Sequence, residues 1–140
     1  MRYEPSLILA VLLLSIAAGC TESVKETLSP ELTITIESMN YRNETDEGYV
    51  PLPDHVWLYL ELNITNNNEK GSVPVTAYQF FLIDNYDDEV WCRGYVGSSE
   101  PTVAPGESID FTIYFQTTPG REFVRLEYRR TLSEPVTTPI

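Results

Sequence analysis

From Leu32 onward, apolar and polar residues alternate along the chain. In "LTITIE", Leu32, Ile34 and Ile36 share one side, and Thr33, Thr35 and Glu37 take the other. "VWLYLELNIT" sets Val56, Leu58, Leu60, Leu62 and Ile64 against Trp57, Tyr59, Glu61 and Asn63. "SIDFTIYFQ" turns Ile109, Phe111, Ile113 and Phe115 inward and Asp110, Thr112 and Tyr114 outward. "FVRLEYRR" does the same with Val124, Leu126 and Tyr128 against Arg125, Glu127 and Arg129. A period of two over four or more residues marks a half-buried strand. The residue types, rich in Ile, Val, Thr, Tyr and Phe, agree.

Two further strands alternate less cleanly. "VTAYQFFLID" is apolar on both faces near Phe80 to Ile83, as in a strand covered on both sides. "EVWCRGYV" follows after "NYDD", and the pair reads as a hairpin. "NNNEKG", "APGE" and "TTPG" supply turns, with Pro105 and Gly106 suited to a type II turn. The stretch Tyr41 to Asp54 has no clear pattern and reads as a loop. The expected fold class is all-β: an immunoglobulin-like antiparallel β-sandwich of about seven strands.

The start of the chain is different. "MRYEPSLILAVLLLSIAAGC" has a short head with Arg2, an apolar run from Leu7 to Ala18, and small residues before Cys20. That is the order of a secretory signal. The run is shorter than the roughly 20 residues a spanning helix needs. Ending on "AAGC", the segment resembles a prokaryotic lipoprotein signal, although Ala17 stands where that family usually has Leu. The resemblance implies cleavage before Cys20 and a lipid on its thiol. The expected organisation is a signal peptide over 1–19, a lipid-anchored tether over 20–30, a sandwich over 31–130 and a flexible tail over 131–140. Cys92, the other of two cysteines, then has no intrachain partner and reads as a buried, inert thiol.

Charge narrows the partners. A net charge of -12 in 140 residues repels phosphate backbones and anionic lipid head groups, so no nucleic-acid partner is expected.

The order "VWLYLELNITNNNEKGSVPVTAYQFFLIDNYDDEVW", then "APGESIDFTIYF", then "RLEY" resembles the telokin-like, immunoglobulin-like domains of prokaryotic surface lipoproteins. "YQFFLIDNYDDEVW" and "VAPGESIDFT" are also similar to the bacterial intracellular proteinase inhibitors, which share a sandwich. Both resemblances rest on structural motifs. They imply a fold, and neither carries over catalytic residues.

Candidate chemistry is sparse. His55 is the only histidine, and Asp54 beside it points to the opposite side of a strand, so no Ser-His-Asp triad is expected. No Gly-x-Ser-x-Gly turn occurs. Asp84, Asp87, Asp88 and Glu89 crowd one hairpin tip and form a weak candidate for Ca²⁺. The alternative is a solvated acidic tip, and no cofactor is expected. Trp57, Tyr59 and Tyr114 either pack under loops or form a binding platform. Arg125 and Arg129 either pair with acids such as Asp110 across strands or form a docking patch. Asn43 and Asn63 head glycosylation sequons.

The expected protein is a monomeric, non-enzymatic binding or accessory module. It is held by a lipid on Cys20 at the outer face of the cell membrane, with a protein or glycan partner. Alternatives are an inhibitor of an exported protease and a weak Ca²⁺-dependent adhesion or ligand-binding domain.

Overall fold

The computed structural model describes residues 31–131 and 133–140. The expected signal segment over 1–19, the expected tether over 20–30 and Cys20 lie outside these residues. The described part is all-β, with one three-residue 3-10 turn at Ala77–Gln79. The strands are β1 (Leu32–Arg42), β2 (Val56–Asn66), β3 (Val73–Pro74), β4 (Phe80–Asp84), β5 (Glu89–Trp91), β6 (Gly94–Tyr95), β7 (Thr102–Val103), β8 (Ser108–Thr117), β9 (Phe123–Tyr128) and β10 (Val136–Pro139). β3, β6 and β7 have two residues each, which leaves seven longer strands.

The strands form antiparallel sheets ordered β1-β2-β8-β6 and β10-β9-β4-β5, with β3-β7 as a short pair. The alternating apolar residues build one core from both larger sheets. Leu58, Leu60, Leu62, Ile64, Ile113 and Phe115 from the first pack with Phe80, Leu82, Leu126 and Tyr128 from the second. Burying such side chains contributes about 1.5–3 kcal/mol each. Phe80 and Tyr128, centroids 4.5 Å apart, form the aromatic centre of the second sheet's inner face.

β1 is longer than its alternation predicts. A bulge between Ile36 and Ser38 leaves Glu37 unpaired and reverses the parity beyond it. Asn40 and Arg42 therefore register with outward Tyr59 and Trp57, while Met39 and Tyr41 register with inward Leu60 and Leu58. Val124, expected inward, is instead 42% exposed at the start of β9. The β4–β9 register shifts between Ile83 and Asp84, beside that end.

"EVWCRGYV" is not one strand. β5 pairs with β4, and the chain then crosses to the other sheet. Cys92 N–H donates to Phe80 O in one sheet, and Arg93 N–H donates to Tyr114 O in the other. At the opposite edge, the tail also departs from expectation. Residues 136–139 do not fray; they pair with β9 as β10, and the Thr138 hydroxyl donates to Ile34 O of β1 at 2.8 Å. Both open edges of the sandwich are thus bridged, which limits edge-to-edge association.

Candidate functional site

The outer face of β1-β2-β8-β6 carries Trp57, Tyr59 and Tyr114, and loop 43–55 covers it. Trp57 Nε1 donates to Tyr49 O at 2.9 Å, and Leu52 N–H donates to Gln116 Oε1 at 2.9 Å. Tyr59 stacks on Tyr114 with centroids 5.1 Å apart, and Trp57 meets Tyr114 edge-on at 5.5 Å. Arg42 lies over the Tyr59 ring, 4.1 Å from its centroid. Trp57 and Tyr59 are buried and Tyr114 is half-buried. The aromatics do not form an open platform; they serve as the base that fixes the loop. Burial, together with the negative charge of Asp46, pushes the Tyr59 hydroxyl pKa above its ordinary value.

The acidic hairpin tip is tied down residue by residue. Asp84 is buried, and its Oδ1 accepts N–H bonds from Tyr86 and Asp88 at 2.9 Å. Its Oδ2 accepts from Arg121 Nε at 2.9 Å. Burial alone would raise the Asp84 pKa. The Asp88 and Tyr86 amides and Arg121 together outweigh it and hold the carboxyl below the usual range. Asp87 pairs with Arg125 at 3.1 Å, and Glu89 pairs with Arg129 at 2.5 Å. Three of the four acids are thus each held by a different arginine. Asp88 has no such partner among the described residues.

Arg125 and Arg129 do not reach Asp110. That residue lies on β8 in the other sheet and accepts from Asn63 Nδ2 at 3.1 Å. Glu127 instead bridges the two arginines, at 3.0 Å to Arg125 and 2.7 Å to Arg129. Arg129 also lies 4.1 Å from the Phe81 centroid. The charges form a ladder over the outer face of the second sheet, with Ile83 buried among its strands. Hydrogen bonds to Glu89, and then to Glu127, hold Arg129 well above the ordinary arginine range. Hydrogen bonds from Arg129, and secondarily from Arg125, hold Glu127 below the usual carboxylate range.

This arrangement predicts an acid-side loss of stability. Asp84, Glu89 and Glu127 have depressed folded pKa values, so their stabilisation is complete above the unfolded values near pH 4. It is lost as pH falls through the folded values below that. Asp84→Asn lowers stability at neutral pH and makes its decline below about pH 4 shallower. Urea unfolding at a series of pH values reads both effects, and an unchanged slope counts against the assignment.

The remaining candidates are placed as follows. Cys92 is buried at the sheet crossing, and its Sγ lies 3.2 Å from Gly94 O. Burial pushes its pKa up to about 12, so the nucleophilic thiolate is disfavoured. His55 Nδ1 donates to Pro53 O at 2.9 Å. Asn43 is exposed, while Thr45 of its sequon is buried with Oγ1 accepting from Tyr49 N–H at 3.0 Å.

Three of the loops converge at one end. Val56 registers with Thr117, and Asp84 registers with Phe123. Loops 43–55, 85–88 and 118–122 therefore share the end opposite Glu31. There an open cleft of about 490 Å³ lies between the two shorter loops, lined by Tyr86, Pro119, Arg121 and Glu122 among others. The only sequence signal was the break in alternation together with turn residues.

No protein-family model matches the sequence, and no curated protein matches it. Two solved structures share the fold. One is a candidate lipoprotein, YcdA, from Bacillus subtilis, with a TM-score of 0.65 and 16% identity over 80% of this chain and 37% of that one. The other is MPT63, a secreted protein from Mycobacterium tuberculosis, with a TM-score of 0.59 and 15% identity over 78% of this chain and 82% of that one. The chain thus spans little over a third of the YcdA chain and most of MPT63.

Proposed function

We propose that this chain is a lipid-anchored, extracytoplasmic module of the immunoglobulin-like, telokin-like kind. It is held at the outer face of the membrane by Cys20 and acts there as a non-enzymatic binding or accessory domain. The observation that carries this reading is the way the chain enters the sandwich. Glu31 accepts from Asn68 Nδ2 at 2.8 Å and pairs with Arg130, so the domain is pinned from its first described residue. The polar stretch Thr21 to Pro30 separates that point from Cys20 and serves as a tether. The fold shared with a candidate lipoprotein and a secreted protein supports the location.

Cys20→Ala tests it. The parent protein should sediment with membranes and enter the detergent phase on phase separation, because two acyl chains would hold it stably. The variant loses that attachment. Equal membrane recovery of the two forms argues against the anchor.

A further inference from the structure

We infer that the end of the sandwich opposite Glu31 is a docking surface for a cationic polypeptide segment with apolar anchors. This rests on the anchored-module reading only in that an anchor at Cys20 leaves this end free.

The geometry separates the two ends. β1 has 11 residues, so they lie about 33 Å apart. At the Glu31 end the contacts are polar and mutual: Asn67 Nδ2 meets Thr33, and Asn68 meets Glu31. The other end presents large apolar side chains to solvent. Tyr49 is 66% exposed, Val50 72%, Leu52 58% and Tyr86 81%. They do not sit on loose chain. Trp57 and Thr45 hold Tyr49, Gln116 holds Leu52, and the Asp84 carboxylate holds the Tyr86 amide. Presenting apolar groups in a fixed geometry lowers the ordering cost of binding. The loops are neighbours: Leu52 bonds to Gln116, on β8 just before loop 118–122, and Thr118 and Pro119 line the cleft that Tyr86 also lines.

Charge selects the occupant. The arginines that reach the loops of this end are already committed: Arg42 to Asp46, Arg121 to Asp84 and Arg125 to Asp87. Glu44, Glu47, Asp54, Asp88 and Glu122 have no basic partner among the described residues. The surface is therefore apolar at its anchors and negative around them. That pattern fits lysine- or arginine-bearing polypeptide and repels an anionic lipid surface.

The test uses the full chain in detergent and peptides selected on it from a random displayed library. Selected peptides should combine basic residues with aromatic or aliphatic ones, and their affinity should fall with added salt. Leu52→Asp and Tyr86→Asp should each weaken binding about tenfold or more. Lys70→Glu, at the Glu31 end, should leave it unchanged. Both test positions are exposed, so an unchanged thermal midpoint confirms that the variants fold. Neutral or acidic peptides, binding indifferent to Leu52 and Tyr86, or self-association abolished by Leu52→Asp would each overturn the proposal. An unlipidated chain that still binds these peptides removes the anchor and keeps the surface. A lipidated chain that binds none does the reverse.

Discussion

Asn66→Asp is expected to destabilise the domain by about 3–4 kcal/mol near neutral pH, a large share of what a domain this size has to lose. Asn66 is fully buried at the end of β2. Its Nδ2 donates to Gly71 O and to Val103 O, both at 2.9 Å. Its Oδ1 accepts from Asn68 N–H at 3.0 Å. One side chain thus closes the loop after β2 and ties β7 to the first sheet. Aspartate keeps the acceptor and loses both donors. It then aims a buried negative charge at two carbonyl oxygens, which have no other use for it. Each unsatisfied buried acceptor costs about 1–3 kcal/mol. Because the introduced carboxylate is strained only when ionised, the gap to the parent narrows as pH is lowered. Chemical unfolding at neutral and acidic pH measures both. A midpoint like the parent's at neutral pH contradicts this role.

Gly94→Ala is expected to cost about 2 kcal/mol, from overpacking rather than from the backbone. Gly94 pairs with Tyr114 across β6 and β8. A Cβ at Gly94 falls 2.5 Å from Tyr114 Cζ, inside the ring's van der Waals envelope. A free tyrosine would swing away. This one is stacked on Tyr59 and met edge-on by Trp57, so moving it disturbs the base under loop 43–55. Such aromatic pairs are worth about 0.5–1.5 kcal/mol each beyond burial. In a double-mutant cycle, Tyr114→Ala absorbs most of the Gly94→Ala penalty, so the two losses are less than additive. Simple additivity would place the cost elsewhere.

The long strands β2 and β8 were legible because the inner face of each is apolar at period two. β2 and β8 follow it across their length: Leu58, Leu60, Leu62 and Ile64 are buried, as are Phe111, Ile113 and Phe115. The APGE turn was legible too, with Gly106 at φ +74° and Glu107 N–H bonded to Ala104 O at 3.0 Å. Alternation does not say which strands are neighbours. β9 lies between β4 and β10, so Arg125 and Arg129 meet Glu127, Asp87 and Glu89 rather than Asp110. Nor does it reveal parity changes, and the bulge at Glu37 hid the second half of β1. The tail carries one core-packing apolar residue, Val136, too little for a period; it becomes β10 because Val136 packs on the core and the edge of β9 offers backbone partners. The candidate site was least legible. Trp57 and Tyr59 look outward by period, and a loop of irregular sequence covers them.

Whether Cys20 is the lipid-bearing first residue of the mature protein, as proposed, is read from the mass of the native N-terminus. Protein taken from its own membranes should lack residues 1–19 and begin with a cysteine carrying the added mass of acyl groups. A full-length chain without lipid, or a first residue other than Cys20, would show that Cys20 is not the anchored N-terminus.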